Sequence, residues 1–213
     1  MEITNAVELY ELLLQYATQQ QTTICQLHNA EPHTPCPQSK YFCQKESVKK
    51  VVDFDAVKVK YCKCENINPT WQSVDAVMPK EEIFLFVEIK SWRNFDKYQM
   101  TNIHTKEEKE QIIEKQVKEF KLKQKIERSI EICQNISKNK YLFDKIPMIY
   151  VLVTDIDTVT NPMLRLRVQL GVLAYKSVNI SLYTSASTNE LSTLAMNVRY
   201  TSCYEFDNLC DSL

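Results

Sequence analysis

Two acids and a lysine in the stretch SVDAVMPKEEIFLFVEIKSW, Ser73 to Trp92, have the types and spacing of a metal-assisted phosphodiester site. Asp75 ends a short alternating run and Pro79 to Glu82 supplies a polar turn. Ile83 to Ile89 is rich in β-branched and aromatic residues, so the two flanks read as a hairpin. Glu88 and Lys90 stand two apart on the second strand, which puts their side chains on one face and those of Val87 and Ile89 on the other. Asp75 approaches from the neighbouring strand. Two carboxylates hold Mg2+ or Mn2+ beside a phosphate, and a lysine next to them orients the attacking water or offsets developing negative charge. Such a charged face is expected to be wet and to contribute little to packing.

The tripeptide by itself says little, because Glu-x-Lys recurs at Glu107 to Lys109 and at Glu119 to Lys121, in a stretch with helical character. An exposed antiparallel face carrying a cross-strand ion pair explains Glu88 and Lys90 equally well. Context separates the two readings: an apolar strand that places Glu and Lys on one face must give them partners.

The order of elements and the spacing of Asp75, Glu88 and Lys90 resemble the PD-(D/E)xK, or restriction-endonuclease-like, nuclease superfamily, over roughly Ala6 to Asp155. The resemblance implies an α/β fold with a core of helix, three strands, helix, strand and a central mixed sheet. It implies that Asp75 and Glu88 bind the metal with the carbonyl of Ile89 as a further ligand, and that Lys90 assists the water. Gln116 followed by Phe120 in EKQVKEFKLK is similar to the Gln-x-x-x-Tyr motif of the RecB-type exonuclease branch, with Phe120 in the tyrosine position, and Gln116 would then steady substrate or site. Some members use a carboxylate from the first helix, which would be Glu11; acids on a solvated helix face are common for other reasons. DNA is favoured over RNA as substrate on the resemblance alone.

The elements that must position these residues follow from periodicity. Asn5 to Gln20 reads as an amphipathic helix through Val7, Tyr10, Leu13, Leu14 and Ala17. Thr22 to Ser47, with Pro32, Pro35 and Pro37, reads as a loop. Val48 to Cys64 alternates as a strand. Lys106 to Ser137 reads as a long helix with two apolar stripes, one of Ile113, Val117 and Phe120, the other of Leu122, Ile126, Ile130 and Cys133, so it bends near Lys121 or is covered on both faces. Gln116 falls within about 60° of the first stripe, beside Phe120. Ile146 to Asp155, IPMIYVLVTD, is a nearly unbroken apolar run that suits a central strand. Asn161 and Pro162 suit a helix start, although Leu164 to Leu170 alternates as a strand. Val178 to Thr184 reads as a strand, Asn189 to Asn197 as a helix and Tyr200 to Phe206 as a last strand.

At 213 residues, 44% hydrophobic and 25% charged, the chain suits one domain, with a core over about residues 5–155 and a C-terminal α/β extension over about 156–213. A formal charge of -1 excludes a globally basic nucleic-acid binder and leaves room for a local basic face. Lys49, Lys50, Lys58, Lys60 and Lys63 form one such set. Lys115, Lys118, Lys121, Lys123, Lys125 and Arg128 form another, although interleaved glutamates suggest a self-paired, solvated helix face. No apolar run reaches membrane-span length and no signal peptide is legible, which points to an intracellular protein, cytoplasmic or nuclear. Homodimers and larger protein complexes are both compatible with the sequence.

Eight cysteines suggest a metal reading. Cys25, His28, His33, Cys36 and Cys43 would supply four zinc ligands if their loop folded back, whereas buried reduced thiols are the plainer account. Three functions therefore stand side by side: a metal-dependent nuclease, a catalytically inactive nucleic-acid-binding or adaptor module on the same fold, and a zinc-stabilised interaction protein.

Overall fold

The computed structural model of the chain describes residues 3–18, 21–27, 46–68, 70–90, 92, 95, 105–155, 183, 185–192 and 196–213, the last without the side chain at 204. The expected elements over Asn161 to Leu170 and most of Val178 to Thr184 lie outside these residues, as do His28, His33, Cys36 and Cys43.

Helix α1, Ala6–Tyr16, starts where the Asn5 side chain accepts from the Glu8 N–H at 2.9 Å. Its buried face is Ala6, Leu9, Tyr10 and Leu13, with Ala17 just beyond, so Tyr10, Leu13 and Ala17 of the expected stripe are buried, Leu14 is partly buried and Val7 is exposed. A two-residue strand β1, Gln21–Thr22, and a single turn of helix α2, Ile24–Leu27, follow.

The expected strand over Val48 to Cys64 is corrected by the structure. Only β2, Val51–Asp53, is extended, and Phe54–Cys64 is helix α3. The cause is local: the Asp53 carboxylate accepts from the Ala56 N–H at 3.1 Å and caps the helix. Phe54, Val57 and Tyr61, at helical spacing, then supply the buried face, while Val59 is exposed.

Strands β3, Ala76–Lys80, and β4, Ile83–Lys90, form the expected hairpin, but the turn is Glu81 and Glu82 alone, with Glu81 at φ 53°. Pro79 lies inside β3, opposite Phe84. It is tolerated there because β2 pairs only with Ala76 and Val77, so no ladder needs the missing Pro79 N–H.

The long helix is two. Helix α4, Lys106–Phe120, ends at Lys121, whose left-handed backbone (φ 50°, ψ 43°) redirects the chain into α5, Leu122–Ser137. This resolves the two stripes: α4 buries Ile113 and Val117, whereas α5 buries Leu122, Ile126, Ser129, Ile132 and Cys133. After the short α6, Leu142–Lys145, strand β5, Met148–Thr154, runs parallel to β4 as an interior strand. The expected helix over Asn189 to Asn197 is shifted: residues 185–191 are helical, and β6, Asn197–Ser202, replaces the strand expected at Tyr200 to Phe206. The chain ends in a helix, Phe206–Ser212, that the sequence pattern had not indicated.

The result is an α/β fold around one mixed sheet, ordered β1-β2-β3-β4-β5-β6 among the described residues. It is antiparallel from β1 to β4 and parallel from β4 to β6. Phe84 and Phe86 pack edgewise on each other and, tilted, on Phe143 of α6, with Phe86 to Phe143 at 5.6 Å. On the opposite face Met78 meets Cys210 of the C-terminal helix at 3.9 Å. That helix is fastened by Asp207, which accepts from Ser47 Oγ at 2.5 Å and the Val48 N–H at 2.9 Å, and by an ion pair between Lys49 and Asp211. No helix among the described residues is long and apolar enough to cross a membrane.

Candidate active site

The β3–β4 register pairs Ala76 with Val87, so Asp75 enters the hairpin opposite Glu88, one residue beyond the paired ladder. Its backbone is tied on both sides: the Asp75 N–H donates to Val87 O at 3.1 Å, and Asp75 O accepts from the Phe54 N–H at 3.1 Å. Its carboxylate accepts from the Ile89 N–H at 2.6 Å. Three main-chain contacts thus fix an acid at the mouth of the hairpin before any cation is considered.

Glu88 is 0% exposed. Its Oε1 takes the ammonium groups of both Lys90 and Lys125, the latter at 2.6 Å, and its Oε2 is buried with no hydrogen-bond partner. Lys90 Nζ also lies 4.0 Å from Asp75, donates to the Ile89 carbonyl at 3.1 Å and sits 5.3 Å from the centre of the Phe120 ring. Lys125 Nζ lies 3.7 Å from Asp75 Oδ1. Asp75, Glu88 and Lys90 therefore converge, and the carbonyl of Ile89 lies within the cluster. The expected wet face is corrected: Glu88 is fully buried, and the side chains of Lys90 and Lys125 retain 14% and 16% of their exposure. A buried carboxylate must be paired, and two lysines from different elements do so.

Burial pushes the Glu88 carboxyl above the ordinary carboxylate range, the neighbouring Asp75 adds to the rise, and Lys90 and Lys125 oppose it. For Lys125, burial pulls the ammonium down, but the charges of Glu88 and Asp75 outweigh it and hold the group protonated. The buried Tyr150 hydroxyl has no hydrogen-bond partner, and burial, then Glu88 and Asp75, raise it well above the usual phenol range.

Lys125 is the residue that sequence reasoning missed, having been grouped with the solvated lysines of the long helix. The signal was its phase: Leu122, Lys125, Ile126, Ser129, Ile132 and Cys133 form one helical stripe, and a lysine in a buried stripe requires an acid. Ser129 locks that stripe to the hairpin. Its Oγ accepts from the buried Val74 N–H at 3.0 Å and donates to the Lys125 carbonyl at 2.8 Å, joining the residue before Asp75 to the turn that carries Lys125.

The remaining expected residues make no hydrogen bond or ion pair with Asp75 or Glu88 among the described residues. Gln116 is half-buried on α4, one turn before Phe120, and makes no hydrogen bond among the described residues. Phe120 is only partly buried, against Trp92 at 5.1 Å and under Lys90, so it borders the site. Glu11 is exposed on α1 and forms no ion pair or hydrogen bond among the described residues. Of the loop cysteines only Cys25 is described, and it is buried.

Among the described residues no group of three or more His, Cys, Asp and Glu side chains is placed to hold a metal ion. The acid pair fits a hard divalent cation in a sparser way. Mg2+ binds through one or two carboxylates and takes its other ligands from water and substrate phosphate. Here two carboxylates and one main-chain carbonyl face cations already, and the uncommitted, buried Glu88 Oε2 is an acceptor still lacking a partner. No family model, no curated protein and no solved structure matches the chain.

Proposed function

We propose that this chain is a divalent-metal-dependent nuclease that hydrolyses phosphodiester bonds of nucleic acid, DNA before RNA, on a restriction-endonuclease-like core. The observation that carries the reading is the convergence of Asp75, Glu88, Lys90 and the Ile89 carbonyl at one end of the β3–β4 hairpin. The element order supports it in outline: α1, then β2, β3 and β4, then α4 and α5, then β5 parallel to β4, follow helix, three strands, helix, strand, with β1 and α2 before β2, α3 inserted between β2 and β3, and the short α6 before β5. Position supports it too, because Lys90 and Thr154 close the shared carboxyl ends of two adjacent parallel strands, where α/β sheets bind ligands.

Asp75 and Glu88 would hold Mg2+ or Mn2+, which when bound acidifies a ligated water and polarises the phosphate. Lys90, fixed by Glu88, the Ile89 carbonyl and Phe120, holds its ammonium where it can orient a water or meet a phosphate oxygen. The Ile89 N–H keeps the Asp75 carboxylate aimed into the cluster. Gln116, one turn from Phe120, supplies an amide for substrate at the border of the site.

A second reading has its own observation. Two ammonium groups already balance two carboxylates, so the cluster is charge-neutral as a structural ion network, which suits a non-catalytic nucleic-acid-binding or adaptor module equally. The separating experiment incubates purified protein with end-labelled single- and double-stranded DNA and RNA, with Mg2+, with Mn2+ and with chelator. Metal-dependent cleavage that disappears in Asp75→Asn supports the nuclease. Retention of labelled nucleic acid without cleavage in any metal supports the module.

A further inference from the structure

We infer that Lys125 is a placeholder for the metal: its ammonium occupies the space between the Asp75 and Glu88 carboxylates that a divalent cation takes in the loaded site, and it withdraws when the cation binds. The inference rests on the metal-dependent reading and specifies how that site is kept when empty and how it is filled. Lys125 Nζ lies 2.6 Å from Glu88 Oε1 and 3.7 Å from Asp75 Oδ1. A cation ligated by both oxygens at about 2.1 Å leaves no room for an ammonium on the same two atoms. Charge points the same way: two carboxylates and two ammonium groups balance, and a divalent ion added to all four would meet a site with no negative charge to spare.

Of the two lysines, Lys125 is the one that can leave. Lys90 also pairs with Glu88 Oε1, but it has holds besides the acids, in its bond to the Ile89 carbonyl and its seat over Phe120. The side-chain bond of Lys125 is to Glu88, with Asp75 beside it, and among the described residues no carbonyl or ring contact holds its ammonium besides. Glu88 Oε2, buried and without a hydrogen-bond partner, is a further acceptor on the same carboxylate. Lys125 thus keeps two acids from facing each other unneutralised and competes with the metal for them.

Manganese binding measured by calorimetry, on wild type, Lys125→Met, Lys125→Gln and Lys90→Met, tests this without reference to turnover. Removing the competitor is expected to tighten Mn2+ binding about tenfold in Lys125→Met, a modest part of the effect of deleting one nearby unit charge. Lys125→Gln is expected to follow it, and serves should the methionine variant fold poorly. Metal-free Lys125→Met should melt below wild type, and saturating Mn2+ should close the gap. Lys90→Met should gain less affinity than Lys125→Met. Unchanged or weaker binding in both Lys125 variants, with wild type binding Mn2+, overturns the placeholder and leaves the metal site standing. No binding by wild type or by either Lys125 variant overturns both.

Discussion

Glu88 carries two ammonium groups on one oxygen, so either lysine alone still leaves the buried carboxylate paired. Lys90→Ala and Asp75→Asn should each abolish metal-dependent cleavage of labelled DNA. The stability cost should be uneven. Asp75 keeps a quarter of its side-chain exposure, and its asparagine can still accept from the Ile89 N–H, so the thermal midpoint of that variant should hardly move. The double variant Lys90→Ala/Lys125→Ala strands an unpaired carboxylate in the core and should lose about 3 to 5 kcal/mol, more than the two single losses together. Urea unfolding of the four proteins of this cycle decides the matter, and simple additivity would show that the lysines act separately. At this scale Asp75, Glu88 and Lys90 were legible because a hairpin and a two-residue step dictate their company. Lys125 was not, because helical lysines are usually solvated, and only the bend at Lys121 shows which stripe of the helix faces the acids.

Lys121 adopts a left-handed backbone that glycine enters more readily, and it stands where two helices with different buried faces meet. Lys121→Gly should therefore raise stability, by up to about 1 kcal/mol, with cleavage retained. A fall in the urea midpoint would mean that the lysine side chain contributes more than its backbone costs. Ser129→Ala tests the neighbouring device. It orphans the buried Val74 N–H and should cost about 1 to 3 kcal/mol, and it should slow cleavage as well, because the link from Val74 to the Lys125 turn is lost. A stability loss with full cleavage would show that the contact serves packing alone. Among the elements, β4 and β5 were legible from their apolar runs and α1 from its period. Helix α3 was not: Val57, Val59 and Tyr61 alternate as a strand would, and the deciding interaction is the cap at Asp53, which hydrophobic pattern does not weigh. The C-terminal helix was hidden by its shortness, since its hold on the body comes from Ser47, Val48 and Lys49, far away in sequence.

Over the whole molecule the cysteines report how the core is closed. Cys133 and Cys210 are buried, and burial pushes the Cys210 thiol up to about 12 and that of Cys133 higher still, whereas Cys64 is exposed. Iodoacetamide at neutral pH should label Cys64 in the folded protein and reach Cys133 and Cys210 only in denaturant, as read by peptide mass spectrometry. Labelling of Cys210 without denaturant would show that the C-terminal helix opens from the sheet. The way the charge cluster is divided, both acids on the hairpin and Lys125 on a distant helix, also bears on how the chain reaches its fold. Asp75 and Glu88 are drawn together when the β3–β4 hairpin closes, a microsecond event, but Lys125 arrives only once α5 docks across the sheet. For that interval Lys90 alone faces two carboxylates, and the nascent hairpin carries a net negative charge at its mouth. Refolding should consequently quicken with moderate ionic strength while unfolding changes little, so this charge cluster would govern the speed of folding through the order in which its members arrive.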